Sequence, residues 1–217
     1  MTSSHRARAR LRTTPLALVT GLVAASLVAL TMSGTLSAFS ASITNSQNTA
    51  ATGTLLMEES STGKTTCTSS PASTVSSSNA NASCTSINKF GGSTQMTPGT
   101  TVTTDVVIKN TGTLAASTFT LLPAGTCQRG TNGSTNGTAS DICAKMTVVI
   151  KTGTSQVFSG TLAALGTATP ASFTNIPSTV AAGSSVPFTF AVTLDPGATN
   201  DYQGLSASVP LTWTFTA

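Results

Sequence analysis

The chain has 217 residues, enough for one domain of ordinary size plus extensions, and its formal charge of +4 misrepresents most of it. Four of the ten basic residues (Arg6, Arg8, Arg10, Arg12) and the single histidine, His5, lie in the first dozen positions; beyond residue 38, six Lys and Arg face six Asp and Glu. That neutral, Thr-, Ser- and Ala-rich remainder has no basic patch for nucleic acid or anionic lipid. Without histidine it also excludes Ser-His-Asp and Cys-His catalysis and any zinc site that needs imidazole.

In chain order, the basic start is followed by an apolar run from Pro15 to Met32 and by small residues at Ser37-Ala38. This is the pattern of an export signal over residues 1–38, expected as a helix; an uncleaved membrane anchor is the alternative, and the only membrane contact foreseen is through this segment. Phe39–Asn45 and Gly53–Met57 read as short strands within an N-terminal strand segment, 39–57. From Ser60 to Ser86 the chain is nearly all Ser, Thr, Asn and Ala. Residues 58–96 are therefore expected to be a loop insertion too polar to bury a core of its own.

The main domain is expected over 97–217, completed by strands from 39–57. After a turn at Thr97-Pro98-Gly99, the residues Val102, Thr104, Val106 and Ile108 share one face of a strand, opposite Thr103, Asp105, Val107 and Lys109. Asn110-Thr111-Gly112 turns the chain, and Phe119 and Leu121 line the next strand. A second polar loop, Gly125 to Asp141, precedes strands at Met146–Ile150 and Val157-Phe158, with Phe173 and Ile176 beyond; Leu162–Leu165 suits a short helical turn. Val186, Phe188, Phe190, Val192 and Leu194 alternate with Pro187, Thr189, Ala191 and Thr193. From Leu205 to Ala217 every odd position is apolar, including the only tryptophan, Trp213. These last two runs, joined by the turn formers of 195–201, read as two strands of one antiparallel sheet with Trp213 facing the core. Pro210, on the outward phase and without an N–H, is expected to mark a free edge. About eight to ten strands at this spacing indicate an all-β antiparallel sandwich.

The four cysteines, Cys67, Cys84, Cys127 and Cys143, all lie past the export signal. An oxidising compartment makes two disulfides the natural reading, and Cys67–Cys84 with Cys127–Cys143 is the favoured one of three connectivities, each closing its own polar loop. A zinc site built from all four cysteines is the rival, without a C-x-x-C spacing to support it.

Catalytic signatures are fragmentary. Ser61-Thr62-Gly63-Lys64 and Ser86-Ile87-Asn88-Lys89 fit S-x-x-K and Lys151-Thr152-Gly153 reads K-T-G, but the S-D-N of penicillin-recognising enzymes is missing. Gly63-Lys64-Thr65 resembles the end of a phosphate loop, yet Glu58 stands where its first glycine belongs. Leu122–Thr126 resembles a sortase signal with its last two residues exchanged, placed mid-chain. Sequons at Asn81, Asn132 and Asn136 mark exposed loops. Glu58-Glu59 is expected at a solvated strand end, because strand neighbours point to opposite faces. Asp195, Asn200 and Asp201 offer fewer oxygens than calcium usually takes.

Three groups of residues resemble one family. Thr35–Ser40 followed by Gly53-Thr54-Leu55, the segment from Pro98-Gly99-Thr100 through Val106–Lys109 to Asn110-Thr111-Gly112-Thr113-Leu114, and Asn200–Gly204 with Leu211–Ala217 are together similar to the TasA/camelysin family. The resemblance implies a jelly-roll domain exported by Gram-positive bacteria, with signal-peptidase cleavage between Ala38 and Phe39. It further implies an extracellular matrix fibre in which Phe39 to about Gln47, with Phe39, Ala41 and Ile43 on one face, adds as a strand to the next subunit. The partners implied are other copies of the chain or related matrix subunits, with no cofactor. The family pattern does not require the four cysteines, and its metallopeptidase label finds no zinc ligands here.

Overall fold

The computed structural model describes residues 42, 43, 45, 47–70 and 81–217. The expected export signal and its cleavage point at Ala38 and Phe39 lie outside the described residues, as does Ala41. The chain divides into two units, residues 1–50 and 51–217. In the first, Ile43 is 94% exposed and the Asn48 side-chain amide donates to the Asn45 carbonyl at 3.1 Å.

The second unit is all-β. Its strands are β1 (Met57–Ser60), β2 (Cys67–Thr68), β3 (Thr101–Asn110), β4 (Thr118–Pro123), β5 (Gln128–Thr131), β6 (Met146–Thr152), β7 (Ser155–Thr161), β8 (Ser185–Leu194), β9 (Leu205–Ser208) and β10 (Leu211–Thr216). Among the described residues, two short α-helices, α1 (Ile142–Lys145) and α2 (Leu162–Gly166), interrupt them. One antiparallel sheet has the order β2-β1-β3-β8-β6-β7; β10 pairs with β4, and β5 with β9, as two smaller sheets. Because β4 leads into β5 and β9 into β10, the small sheets form one interrupted two-stranded ribbon. It packs on the large sheet through aromatic rings: Phe119 of β4 lies 5.9 Å from Phe188 of β8, and Trp213 of β10 lies 4.6 Å from the same ring.

The period-two pattern explains the core. In register, Val106 faces Phe188 and Ile108 faces Val186 across β3 and β8, while Val148 faces Val192 and Ile150 faces Phe190 across β6 and β8. These even positions are buried, and full burial of a side chain such as Phe188 or Phe190 contributes about 1.5–3 kcal/mol. The opposite phase carries Thr101, Thr189, Thr193 and Asp105, tied by cross-strand hydroxyl bonds such as Thr189 to Asp105 at 2.8 Å. The expected turn at 162–165 is α2, whose first turn is capped by the Thr161 hydroxyl accepting from the Ala164 N–H.

Several expectations are corrected. The run 205–217 is two strands, because Pro210 has no N–H for the partner-facing side of the ladder; its carbonyl accepts from Ala124 N–H there instead. The break therefore lies on the paired side, and Pro210 does not mark the free edge. Nor do 186–194 and 205–217 pair: β8 belongs to the large sheet, and the connection from 195 to 204 crosses to the ribbon. Residues 53–56 form no strand of their own; the strand begins at Met57. Residues 58–96 are not all loop, since β1 and β2 join the large sheet and Ile87 enters the core. The polar loop 125–141 contains β5. Phe173 and Ile176 lie outside strands, packed half-buried against the core.

Candidate functional site

The turn after β3 is a mount for the incoming N-terminal chain. Asn110 is fully buried; its amide donates to the carbonyls of Leu114 at 2.8 Å and Val180 at 3.0 Å, and its oxygen accepts from Gly112 N–H at 3.0 Å. Gly112 is required sterically, because a Cβ there would collide with the carbonyl of Thr54. With that clearance, Thr111 N–H reaches the Leu56 carbonyl, and the N–H groups of Thr113 and Leu114 reach that of Thr54. The side chain of Leu114 closes over Gly53. Asn110, Gly112 and Leu114 thus strap residues 53–56 to the sandwich.

The insertion is anchored as firmly. A disulfide joins Cys67 of β2 to Cys84, with Cα atoms 5.5 Å apart. Ser86 donates to the Thr65 carbonyl at 2.6 Å, and Ile87 is buried in the core. Glu59 points inward from β1, in register with Ile108, so it is not a solvated strand end. The Lys89 ammonium lies 2.6 Å from its Oε1, with only 13% and 8% of the two side chains exposed. The contact is an ion pair shielded from water. Phe90 and Met96 then pack against the core. The second disulfide, Cys127–Cys143, ties the start of β5 to α1 with Cα atoms 6.0 Å apart.

The ribbon leaves a backbone edge open. Asn132 N–H donates to the Gly204 carbonyl at 2.7 Å. Counted along the antiparallel register, Ser206 and Ser208 turn their backbone groups toward β5, and Leu205 and Ala207 turn theirs away. The bond from Ala124 N–H to the Pro210 carbonyl sets the same phase in β10, where Leu211, Trp213 and Phe215 face away from β4. Among the described strands, β9 and β10 have one neighbour each. The core-phase side chains of β10 are only half-buried, whereas those of β8 are buried. Trp213 Nε1 is itself buried with no hydrogen-bond partner. Of the other border strands, β2 has two residues, β7 carries a register shift in its pairing with β6 at Ile150 and Lys151, the start of β4 is flanked by the bridge from Ala116 to Val180, and β5 is four residues long with Gly130 within it.

Beside β9 lies a cleft of about 670 Å³. Its floor includes Met146, Val192 and Leu194, one side is the segment 88–98, and no charged side chain lines it. Residues of both phases of β9, from Leu205 to Ser208, line the cleft, so it meets the strand along its edge. At its far end Gly204 (φ +65°) accommodates the Thr135 carbonyl where a Cβ would collide, and Gln203 accepts from Gly137 N–H at 2.7 Å. Gln203 and Gly204 thereby pin the second disulfide loop. Asn136, in that loop, is half-buried rather than exposed.

Charged groups near this end are committed to structure. The Gly197 N–H and then the Lys145 ammonium hold Asp195 below its ordinary 3.8, and its hydrogen bond to Asp195 raises Lys145 above 10.5. Tyr202 donates to Asp141 at 2.7 Å, which raises the phenol above 10.0. Both Asp195 oxygens are engaged, and the described residues hold no cluster of three metal-binding side chains of the His, Cys, Asp or Glu type. Ser61 donates to the Asp105 carbonyl and Ser86 to that of Thr65, while Lys89 is taken by Glu59. Lys151-Thr152-Gly153 is the hairpin between β6 and β7, and Leu122–Thr126 links β4 toward β5. The residues of these motif fragments thus belong to different elements. Comparison with protein-family models and with curated proteins finds no match for the chain.

Proposed function

We propose that this chain is a secreted structural subunit of an extracellular fibre, biofilm matrix or cell-surface layer. In this reading it assembles head to tail, the segment Phe39 to Gln47 of one copy adding as a strand to the open edge of the next. The observation that carries the reading is the bare edge of β9 and β10, next to half-buried apolar side chains. An incoming strand satisfies unpaired N–H and C=O groups and covers such side chains together, and a contact that does not close on itself grows filaments. The donor suits that role, because from Phe39 to Met57 the chain has no charged residue and Ile43 is exposed. Export with cleavage between Ala38 and Phe39, a jelly-roll connection of the sandwich and kinship with TasA/camelysin proteins belong to the same proposal, supported by the two disulfides and by the structural roles of Asn110, Gly112 and Gly204.

Light scattering behind size-exclusion chromatography tests it on oxidised protein beginning at Phe39 and at Thr49. Concentration-dependent polymers from the longer form alone are expected. Monomers from both, or chelator-sensitive peptide hydrolysis by either, overturn the reading.

A further inference from the structure

We infer that the insertion, the part of the chain least like a β-domain, builds half of the acceptor. Residues 88–98 are the second wall of a strand-binding cleft whose first wall is the open edge of β9, and its occupant is the segment Phe39 to Gln47 of a second copy. This inference rests on the strand-addition reading above and adds to it a second wall and a dependence on one disulfide.

Three observations converge. Leu205 and Ala207, whose backbone groups turn away from β5, line the cleft, whose span from β9 to the 88–98 segment has an apolar floor of Met146, Val192 and Leu194. An extended segment there pairs its main chain with β9 and sets alternate side chains on that floor. The lining carries no charge, and the donor, Phe39-Ser40-Ala41-Ser42-Ile43-Thr44-Asn45-Ser46-Gln47, carries none either. A charged strand would bury unpaired groups, whereas this one presents Phe39, Ala41 and Ile43 inward and hydroxyls outward. The wall is also held at fixed spacing: the Cys67–Cys84 bond, the Ser86 bond to Thr65, the burial of Ile87 and the Glu59–Lys89 pair precede it, and the Asn132 amide holds the Thr94 carbonyl at 3.0 Å. Opening the first disulfide frees the wall at its N-terminal root, so assembly is conditional on oxidation.

The test places p-benzoylphenylalanine at Ile43 of the exported chain, mixes light and heavy isotope forms, irradiates and maps the cross-links. Mixed-isotope cross-links to residues 88–98 and 205–208 are the expected result. Mixed-isotope cross-links elsewhere overturn the cleft while leaving strand addition standing. Single-isotope cross-links show a chain that fills its own cleft, and overturn both, as do monomers that form no cross-link. Two variants read the walls separately. Ala207→Pro removes an outward N–H of β9 without touching the bonds to β5, and should raise the critical concentration for assembly roughly tenfold, the cost of about one lost backbone bond. The pair Cys67→Ser and Cys84→Ser should do at least as much while far-ultraviolet circular dichroism stays unchanged. Unaltered assembly in both variants overturns the inference.

Discussion

Replacing Asn110 by alanine tests whether one buried amide holds the entrance of the chain to the sandwich. The side chain makes three bonds, at 2.8, 3.0 and 3.0 Å, each worth about 1 kcal/mol net. Its loss also leaves the buried Gly112 N–H without a partner, and such an orphan costs about 1–3 kcal/mol. Shared partners make the terms overlap, so about 3–4 kcal/mol is expected, or a fall of roughly 6–15 °C in melting temperature for a domain of this size. Urea unfolding followed by tryptophan fluorescence measures it, because Trp213 sits among Phe119, Phe188 and Phe190. Asn110→Asp sharpens the test: it keeps the acceptor for Gly112 but turns a carboxylate toward the carbonyls of Leu114 and Val180. Burial and those oxygens raise its folded pKa above the unfolded value, so this variant should be most stable at low pH and lose stability as pH rises toward neutrality. The exposed neighbour change Thr111→Ala should stay within about 0.5 kcal/mol. An alanine variant within about 1 kcal/mol of the native protein refutes the reasoning, as does an aspartate variant whose stability does not change with pH.

Other consequences are as direct. Gly112→Ala forces a methyl into the Thr54 carbonyl and should release residues 53–56, seen as faster limited proteolysis near Gly53 with the sandwich still folded. Opening the second disulfide by Cys127→Ser with Cys143→Ser removes a constraint across a separation of 16 residues, and urea unfolding should record a loss of about 3 kcal/mol. The pH profile follows from three shifts. Asp195 lies below 3.8 when folded, so its contribution is present above that value and disappears as pH falls through the folded pKa. Lys145 and Tyr202 lie above 10.5 and 10.0, so theirs are present below those values and disappear as pH rises through the folded pKa. With the only histidine at position 5, the melting temperature of protein beginning at Phe39 should be level between about pH 5 and 9. A transition near pH 6.5 contradicts this assignment.

The strands that could be read in advance are those whose side chains decide their own placement. β3, β6 and β8 alternate over most of their length, and one phase of each enters the core. β5 reads Gln128-Arg129-Gly130-Thr131 and has no such signal; it exists because β9 offers a partner across the register and a disulfide holds its start. The open edge was legible in kind but assigned to the wrong cause, since the side-chain phase of Pro210 does not reveal which way its missing N–H would point. Asn110 read as a turn former, whereas its importance lies in three bonds to groups up to 70 residues away. Glu59 carried a usable signal: Met57 and Glu59 share the inward phase of β1, and a carboxylate on that phase demands a cation. Nothing periodic points to Lys89, thirty positions on. The cleft has no linear signature, because its floor and walls come from several separated stretches of chain.

The Glu59–Lys89 pair is better understood as a locator than as a source of stability. Both charges are largely withdrawn from water, and taking them there costs several kcal/mol per ion, which their attraction repays only in part. Two apolar side chains of similar volume would fill the same space at little or no cost, yet they would let the 88–98 segment settle in more than one position. An ion pair tolerates one, because each charge is penalised without the other. Single changes Glu59→Gln and Lys89→Met should therefore each destabilise the domain by about 3 kcal/mol, since each strands a buried charge. The double change Glu59→Leu with Lys89→Met should recover most of that loss in urea unfolding. It should not recover assembly, because the wall of the cleft then has no fixed place. A double variant that unfolds like the native protein and also assembles like it refutes the locator role. One that remains as unstable as the single changes shows instead that the pair contributes net stability.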